Sequence, residues 1–260
     1  MKTEQNDKFP PFKVICRIGT GILVSVLFVL LIQGSNSWCS FMEVFDVTQV
    51  NIQGNTILTD YEILQIANIQ LDTCIKFLDL ASIQRQLETN PYIRAAAVSL
   101  DFPSNVNILI SERVPICYIS HKDLFLVDAE GIVLPMPKQS LGTNLPVISG
   151  FESDSLDYFP GYYIPNESVQ EIIQVISGTL NAAPELYSEI SEIRHWNDNN
   201  FILYTVKSGT PIYLGNKSLP EQLNILANFQ TRLNGKRHLS DYQYLDLRWN
   251  KQIVAKERRS

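Results

Sequence analysis

The chain has 260 residues and a formal charge of −6. Four of its 21 basic and two of its 27 acidic side chains fall in the first 40 residues, so the remainder carries 17 basic and 25 acidic groups. That acidic balance excludes a nucleic-acid surface, which needs a basic patch, and the four widely spaced cysteines (Cys16, Cys39, Cys74 and Cys117) form neither a disulfide framework nor a CxxC zinc site.

The first element is apolar. Val14 to Ile32 carries one charge, Arg17. As a helix these residues rise about 28 Å, the hydrocarbon thickness of a bilayer. Arg17 lies one turn from the start and can snorkel to the headgroups. Residues 14–33 therefore read as a transmembrane helix, with Trp38, Phe41 and Phe45 as an interfacial aromatic anchor. Lys2, Lys8, Lys13 and Arg17 precede or open the apolar core, and the next basic residue is Lys76. The positive-inside rule puts residues 1–13 in the cytoplasm as a short tail and the bulk of the chain outside. A cleaved signal peptide is the competing reading, because Gly34 to Ser37 are small enough for a cleavage site.

A compact unit follows. Phe45 to Ile52 largely alternates apolar and polar residues, the pattern of a half-buried strand, and Gly54-Asn55 is a turn signal. Thr59-x-x-Glu62 has the spacing of a capping box and opens a helix running to about Asn68. A second helix opens near Asp79 or Ser82, buries Leu80, Ile83 and Leu87, and ends at Asn90-Pro91. Strands are predicted over Tyr92 to Leu100 and Val106 to Glu112, joined by a turn at Asp101 to Asn105. In the second strand Val106, Ile108 and Ile110 share a face. The order is strand, helix, helix, strand, strand, a helix pair on a three-stranded sheet. Cys74 and Cys117 read as buried free thiols, with a bridge between them left open.

These residues carry a resemblance. Val50-x-Ile52-x-Gly54-Asn55, Leu87-x-x-x-Pro91-Tyr92-Ile93, Val98-x-x-x-Phe102-Pro103 and Glu112-Arg113-x-Pro115 resemble the POTRA domain of the FtsQ/DivIB bacterial cell-division proteins. Its place directly after one span is that family's arrangement too. Outer-membrane assembly factors also carry POTRA domains, ahead of a barrel, but this chain has too few long alternating strands for one.

The resemblance extends to the rest. Leu124 to Leu134 reads as two strands around a tight turn at Gly131. Leu145-Pro146-Val147-Ile148-Ser149-Gly150, Gly209-x-x-Ile212-x-Leu214-Gly215 and Leu245-Asp246-Leu247-Arg248 are similar to the same family. Helices fit Val169 to Leu180 and Leu223 to Leu233 by their spacings of three and four. Ile190 to Trp196, Phe201 to Val206, Pro211 to Leu214, Tyr242 to Arg248 and Gln252 to Ala255 read as strands, the last two around a Trp249-Asn250-Lys251 turn. The fold class is α+β: a transmembrane helix, a POTRA domain over residues 45–115, a mixed β-rich domain with two helices over 116–255, and a basic tail over 256–260.

No catalytic constellation emerges. His121, His195 and His238 stand far apart, and no nucleophile elbow, HExxH or glycine-rich phosphate loop occurs. No catalytic residue, metal ligand or cofactor site is predicted. The chain offers sheet edges instead, where a partner strand can pair through backbone bonds. The last strands are the predicted partner-binding site: Tyr242, Tyr244, Arg248, Trp249 and Ile253. Tyr, Trp and Arg are enriched at binding hot spots; the competing reading is that these aromatics cover the domain's own core. The resemblance implies FtsB- and FtsL-type single-span coiled-coil partners and other divisome membrane proteins. It further implies a scaffold at the division septum that helps control septal wall synthesis, without turnover of its own. The alternatives are a POTRA-bearing envelope-assembly or translocation factor and a membrane-anchored envelope hydrolase.

Overall fold

The computed structural model describes residues 12–41, 44–71, 73–137, 144–151, 158–197, 200–215, 218–233, 236–249 and 252–258. The tail up to residue 11, the middle of the Asn197–Asn200 turn, and Asn250 and Lys251 lie outside these, as do the side chains of Cys16 and Cys39.

Helix α1 (Phe12–Phe41) contains one stretch, Arg17–Ser35, long and apolar enough to cross a membrane, and none of it is buried inside the protein. Its large apolar side chains from Ile18 to Ile32 are exposed on every face. A helix apolar all round, with nothing packed on it, matches a lipid environment.

The first folded unit follows as β1 (Gln49–Gln53), α2 (Asp60–Ala67), α3 (Leu80–Glu88), β2 (Ile93–Asp101) and β3 (Asn105–Glu112). The sheet order is β1-β3-β2, with β1 parallel and β2 antiparallel to β3. A parallel pair needs a crossover, and the two helices supply it. The capping box forms as predicted: the Thr59 hydroxyl accepts from Glu62 N at 3.3 Å, and the Glu62 carboxylate accepts from Thr59 N at 3.1 Å. Asp79 caps α3 by accepting from Ser82 N at 3.1 Å. Val106, Ile108 and Ile110 are buried against Ile63, Ile75 and Leu87, whereas Leu80 is only half-buried. Gly54 ends β1 at φ +88°, and a Cβ there would collide with the Ile110 carbonyl. Strand β1 also starts later than its alternation predicts: Asp46 makes only an isolated bridge to Cys74.

The second unit is one nine-stranded sheet with the order β12-β11-β10-β9-β8-β7-β4-β5-β6. Its strands are β4 (Pro115–Ser120), β5 (Leu124–Asp128), β6 (Val133–Leu134), β7 (Val147–Ser149), β8 (Ile190–His195), β9 (Phe201–Thr205), β10 (Pro211–Leu214), β11 (Tyr242–Asp246) and β12 (Val254–Glu257). Helices α4 (Glu167–Ala182), α5 (Pro184–Glu189) and α6 (Leu219–Leu233) accompany it. The short α5 adds a third helix to the two that periodicity predicts; at six residues it carries too little periodic signal. Strand β4 is also an addition, since Glu112 to Pro115 reads in sequence as a closing segment. Lys256 and Glu257, taken in sequence for the start of a tail, are the end of β12. One core joins the sheet to α4 and α6, including Ile119, Ile148, Ile172, Ile176, Ile212, Leu226 and Leu245. Fully burying each such side chain contributes roughly 1.5–3 kcal/mol. Cys74 and Cys117 are free thiols, and burial pushes the Cys117 thiol pKa up.

The Glu112-Arg113-x-Pro115 phrase joins the two units. The Glu112 carboxylate points back, accepting from Thr56 N (2.7 Å), Ile57 N (2.7 Å) and Leu58 N (2.9 Å). The Arg113 guanidinium points forward, to Asp128 and Glu130, both at 2.7 Å. Arg94 reaches Glu130 at 2.5 Å. Pro115 then begins β4. Tyr92 is buried beside Leu126 and Leu134 and donates to the Pro135 carbonyl. Burial and the neighbouring Tyr118 and Glu112 push its phenol up to about 12.

Candidate functional site

The C-terminal edge of the large sheet is built from β10, β11 and β12. Strand β10 pairs parallel to β11 through Ile212↔Leu245 and Tyr213↔Asp246. Strand β12 pairs antiparallel on the other side, with Tyr244↔Lys256, Leu245↔Ala255 and Asp246↔Val254. Among the described residues no strand lies outside β12, and all four residues of β12 are exposed. Its outer row of N–H and C=O groups is therefore open to pairing. Side-chain anchors hold it: Arg258 donates to the carbonyls of Tyr242 and Ser208, both at 3.0 Å, and Arg237 pairs with Glu257.

Alternation assigns the faces. Ile212, Leu214 and Leu245 enter the core shared with the helices. Tyr213, Tyr244 and Asp246 point to the opposite face. There the Tyr213 ring lies 6.2 Å from both Tyr244 and Trp196, and Lys256 sits 6.0 Å above Tyr244. Arg248 folds over Tyr213 at 5.3 Å and donates to Asp246 through Nε (2.9 Å) and Nη2 (2.6 Å). That bidentate hydrogen bonding from Arg248 holds the Asp246 carboxyl below the usual aspartate range, against the opposing effect of burial. The guanidinium is thus fixed in place while 43% of its side chain stays exposed. The result is an aromatic and cationic band beside an open edge.

The five residues that the sequence groups as partner-binding divide here. Tyr244, Arg248 and Trp249 reach the surface, Trp249 at 63% exposure. Ile253 is half-buried, with one side on the core. Tyr242 is a core residue: it is 5% exposed and packs 5.8 Å from Phe229 under α6, so it leaves the surface set. A bulge between Tyr242 and Tyr244 disturbs the register at that point. Sequence reasoning missed Trp196, Tyr213 and Lys256. For Tyr213 a signal existed: it stands out of phase with Ile212 and Leu214.

The histidines stay apart. His195 stacks on Phe151 at 4.8 Å, His121 lies 5.1 Å from Tyr158, and the backbone N–H of His238 binds Asp241 at 2.9 Å. Among the described residues, no three of His, Cys, Asp or Glu gather in a way that could hold a metal. Asn166, within an Asn-x-Ser triplet, caps α4 by accepting from Val169 N at 3.0 Å.

Comparison with known proteins gives this arrangement its context. Residues 45–113 match the model of the POTRA domain, FtsQ-type, and residues 117–248 match that of cell division protein FtsQ/DivIB, C-terminal. The chain is 26% identical to cell division protein FtsQ of Geobacter sp. (strain M21) over 75% of its own length and 70% of that protein. It is 24% identical to FtsQ of Geotalea daltonii over 82% and 76%. It is 26% identical to cell division protein DivIB of Clostridium acetobutylicum over 43% and 45%. With both family models matched in order along the two folded units, the chain belongs to the FtsQ/DivIB family of cell-division proteins.

Proposed function

We propose that this protein is a single-span membrane scaffold of the divisome that captures partners by strand addition on β12. Its N-terminus lies in the cytoplasm and its folded units lie outside the cytoplasmic membrane, at the septum, where it links membrane division proteins and helps control septal wall synthesis. It performs no turnover of its own. The orientation rests on the basic residues ahead of the apolar stretch. The observation that carries the reading is the open, fully exposed edge of β12 beside Tyr244, Arg248 and Trp249. A partner strand adds antiparallel or parallel to β12 through backbone bonds, and the aromatic band selects its side chains. The partners are FtsB- and FtsL-type single-span coiled-coil proteins.

Pull-down of those partners by full-length variants tests it. Trp249→Ala and Tyr244→Asp should each weaken binding while the fold, read by circular dichroism, is retained. Unchanged affinity in both folded variants would remove the site. A fluorescent fusion that spreads evenly over dividing cells would remove the septal role.

A further inference from the structure

We infer that the membrane-proximal pole of the POTRA unit is a lipid-contacting wedge, in which Phe77, Phe102 and Leu71 enter the headgroup layer of the bilayer. The inference rests on α1 being a retained span.

Topology places these residues together. The start of β1, the loop between α2 and α3, and the β2–β3 turn all lie at one end of the unit. Val47 N donates to Thr73 O (3.0 Å), Ile75 N donates to Phe45 O (2.8 Å) and Thr48 N donates to Ser104 O (2.9 Å). Residues 45–48 thus run between the loop bearing Leu71 and Phe77 and the turn bearing Phe102. These three side chains are 59%, 83% and 63% exposed. Among the described residues Phe77 is the most exposed of the large apolar side chains, more so than those from Ile18 to Ile32 of α1. Large apolar groups held in solvent on a folded tip mark a contact surface.

The tether chooses the occupant. Helix α1 ends at Phe41, and Phe45 is already bonded to the 75 loop. Four residues span at most about 14 Å. Past Ser35, the last six residues of α1 climb about 9 Å through the headgroups. The pole is therefore confined to the membrane surface by its own chain. Interfacial apolar groups sit roughly 5–10 Å into that layer. Charge assigns the type of contact: Lys76 is drawn over the Phe45 ring at 4.4 Å, and the same segments of the chain carry Asp46, Asp79 and Asp101. One cation against three carboxylates gives no attraction to anionic lipid, so the contact is apolar.

The test uses the full chain in phosphatidylcholine vesicles, with photoreactive benzoylphenylalanine at position 77, 102 or 61. Tyr61, 68% exposed, begins α2 at the opposite pole and serves as reference. Lipid adducts at 77 and 102 should exceed those at 61 by about fivefold or more, as for groups within the interface against groups in water. The yield should stay the same when half the lipid is phosphatidylglycerol. Adducts at 77 and 102 no higher than at 61 would overturn the wedge, and so would a yield that climbs several-fold with anionic lipid. Alkaline-carbonate extraction of the same vesicles separates the two readings. A chain that resists extraction but forms no adducts loses the wedge and keeps the anchor; a chain that is extracted loses both.

Discussion

At its β6 end the nine-stranded sheet is covered, and at its β12 end it is open; one face shows the change residue by residue. Cross-strand partners form a row Leu134↔Leu126↔Tyr118↔Val147↔Glu192↔Tyr204. Its first three members pack with Tyr92 and Ile57 of the POTRA unit. Past Val147 the row turns charged and aromatic, with Arg194 lying 5.3 Å over Tyr204 and paired to Glu192 at 3.0 Å. The band of Trp196, Tyr213 and Tyr244 continues it toward β12. The same sheet face is thus mostly aliphatic where its cover belongs to the same chain, and charged and aromatic where none of the described residues covers it. Such a composition keeps the open end soluble while leaving hot-spot residue types available.

The sharpest way to break this contrast is to empty the covered end. Tyr92→Ala removes a buried ring and its hydrogen bond to Pro135 and should cost about 3 kcal/mol, read by denaturant unfolding of the folded units. A loss near zero would mean that the POTRA unit does not lean on the sheet. At the open end, Trp249→Ala should leave stability unchanged but cost about 2 kcal/mol of partner binding, near 30-fold in Kd, measured by titration calorimetry. If stability falls instead, the open end is core after all. Arg113→Met strips the cation from Asp128, which is 5% exposed at its side chain. Backbone donors from Glu130 and Ile132 still reach that carboxylate, so the expected loss is about 2 kcal/mol.

The smallest effect is alkaline. Tyr92 at the seam and Tyr187, whose hydroxyl donates to Ile116 O at 2.8 Å, are both pushed up to about 12 by burial, from an ordinary 10. The folded state favours their neutral form, so this stabilisation is complete below pH 10 and is lost as the pH rises to about 12. Melting temperature should fall across that window, and Tyr92→Phe should flatten part of the fall.

Much of the POTRA unit was legible because its signals are local. The Thr59 capping box, the helix start at Asp79 or Ser82, the stop at Asn90-Pro91 and the alternation of Val106, Ile108 and Ile110 each act within one turn or one strand. Hot-spot composition cannot tell that Tyr242 faces inward; regular alternation would put it on the same face as Tyr244, and the bulge between them breaks that phase. Strand β4 escaped because Pro115 reads as punctuation, and its parallel partner β7 is almost thirty residues away.

By itself the sequence determined the apolar span, the two-unit order, the helix caps and the aromatic character of the last strands, since period and capping chemistry depend on neighbours along the chain. Only the tertiary structure decided that β12 is the free edge, that Tyr213 and Trp196 join Tyr244, and that Glu112 and Arg113 face in opposite directions across the seam. Those facts depend on which distant strands pair and which face another element covers, and no short stretch of residues carries that information.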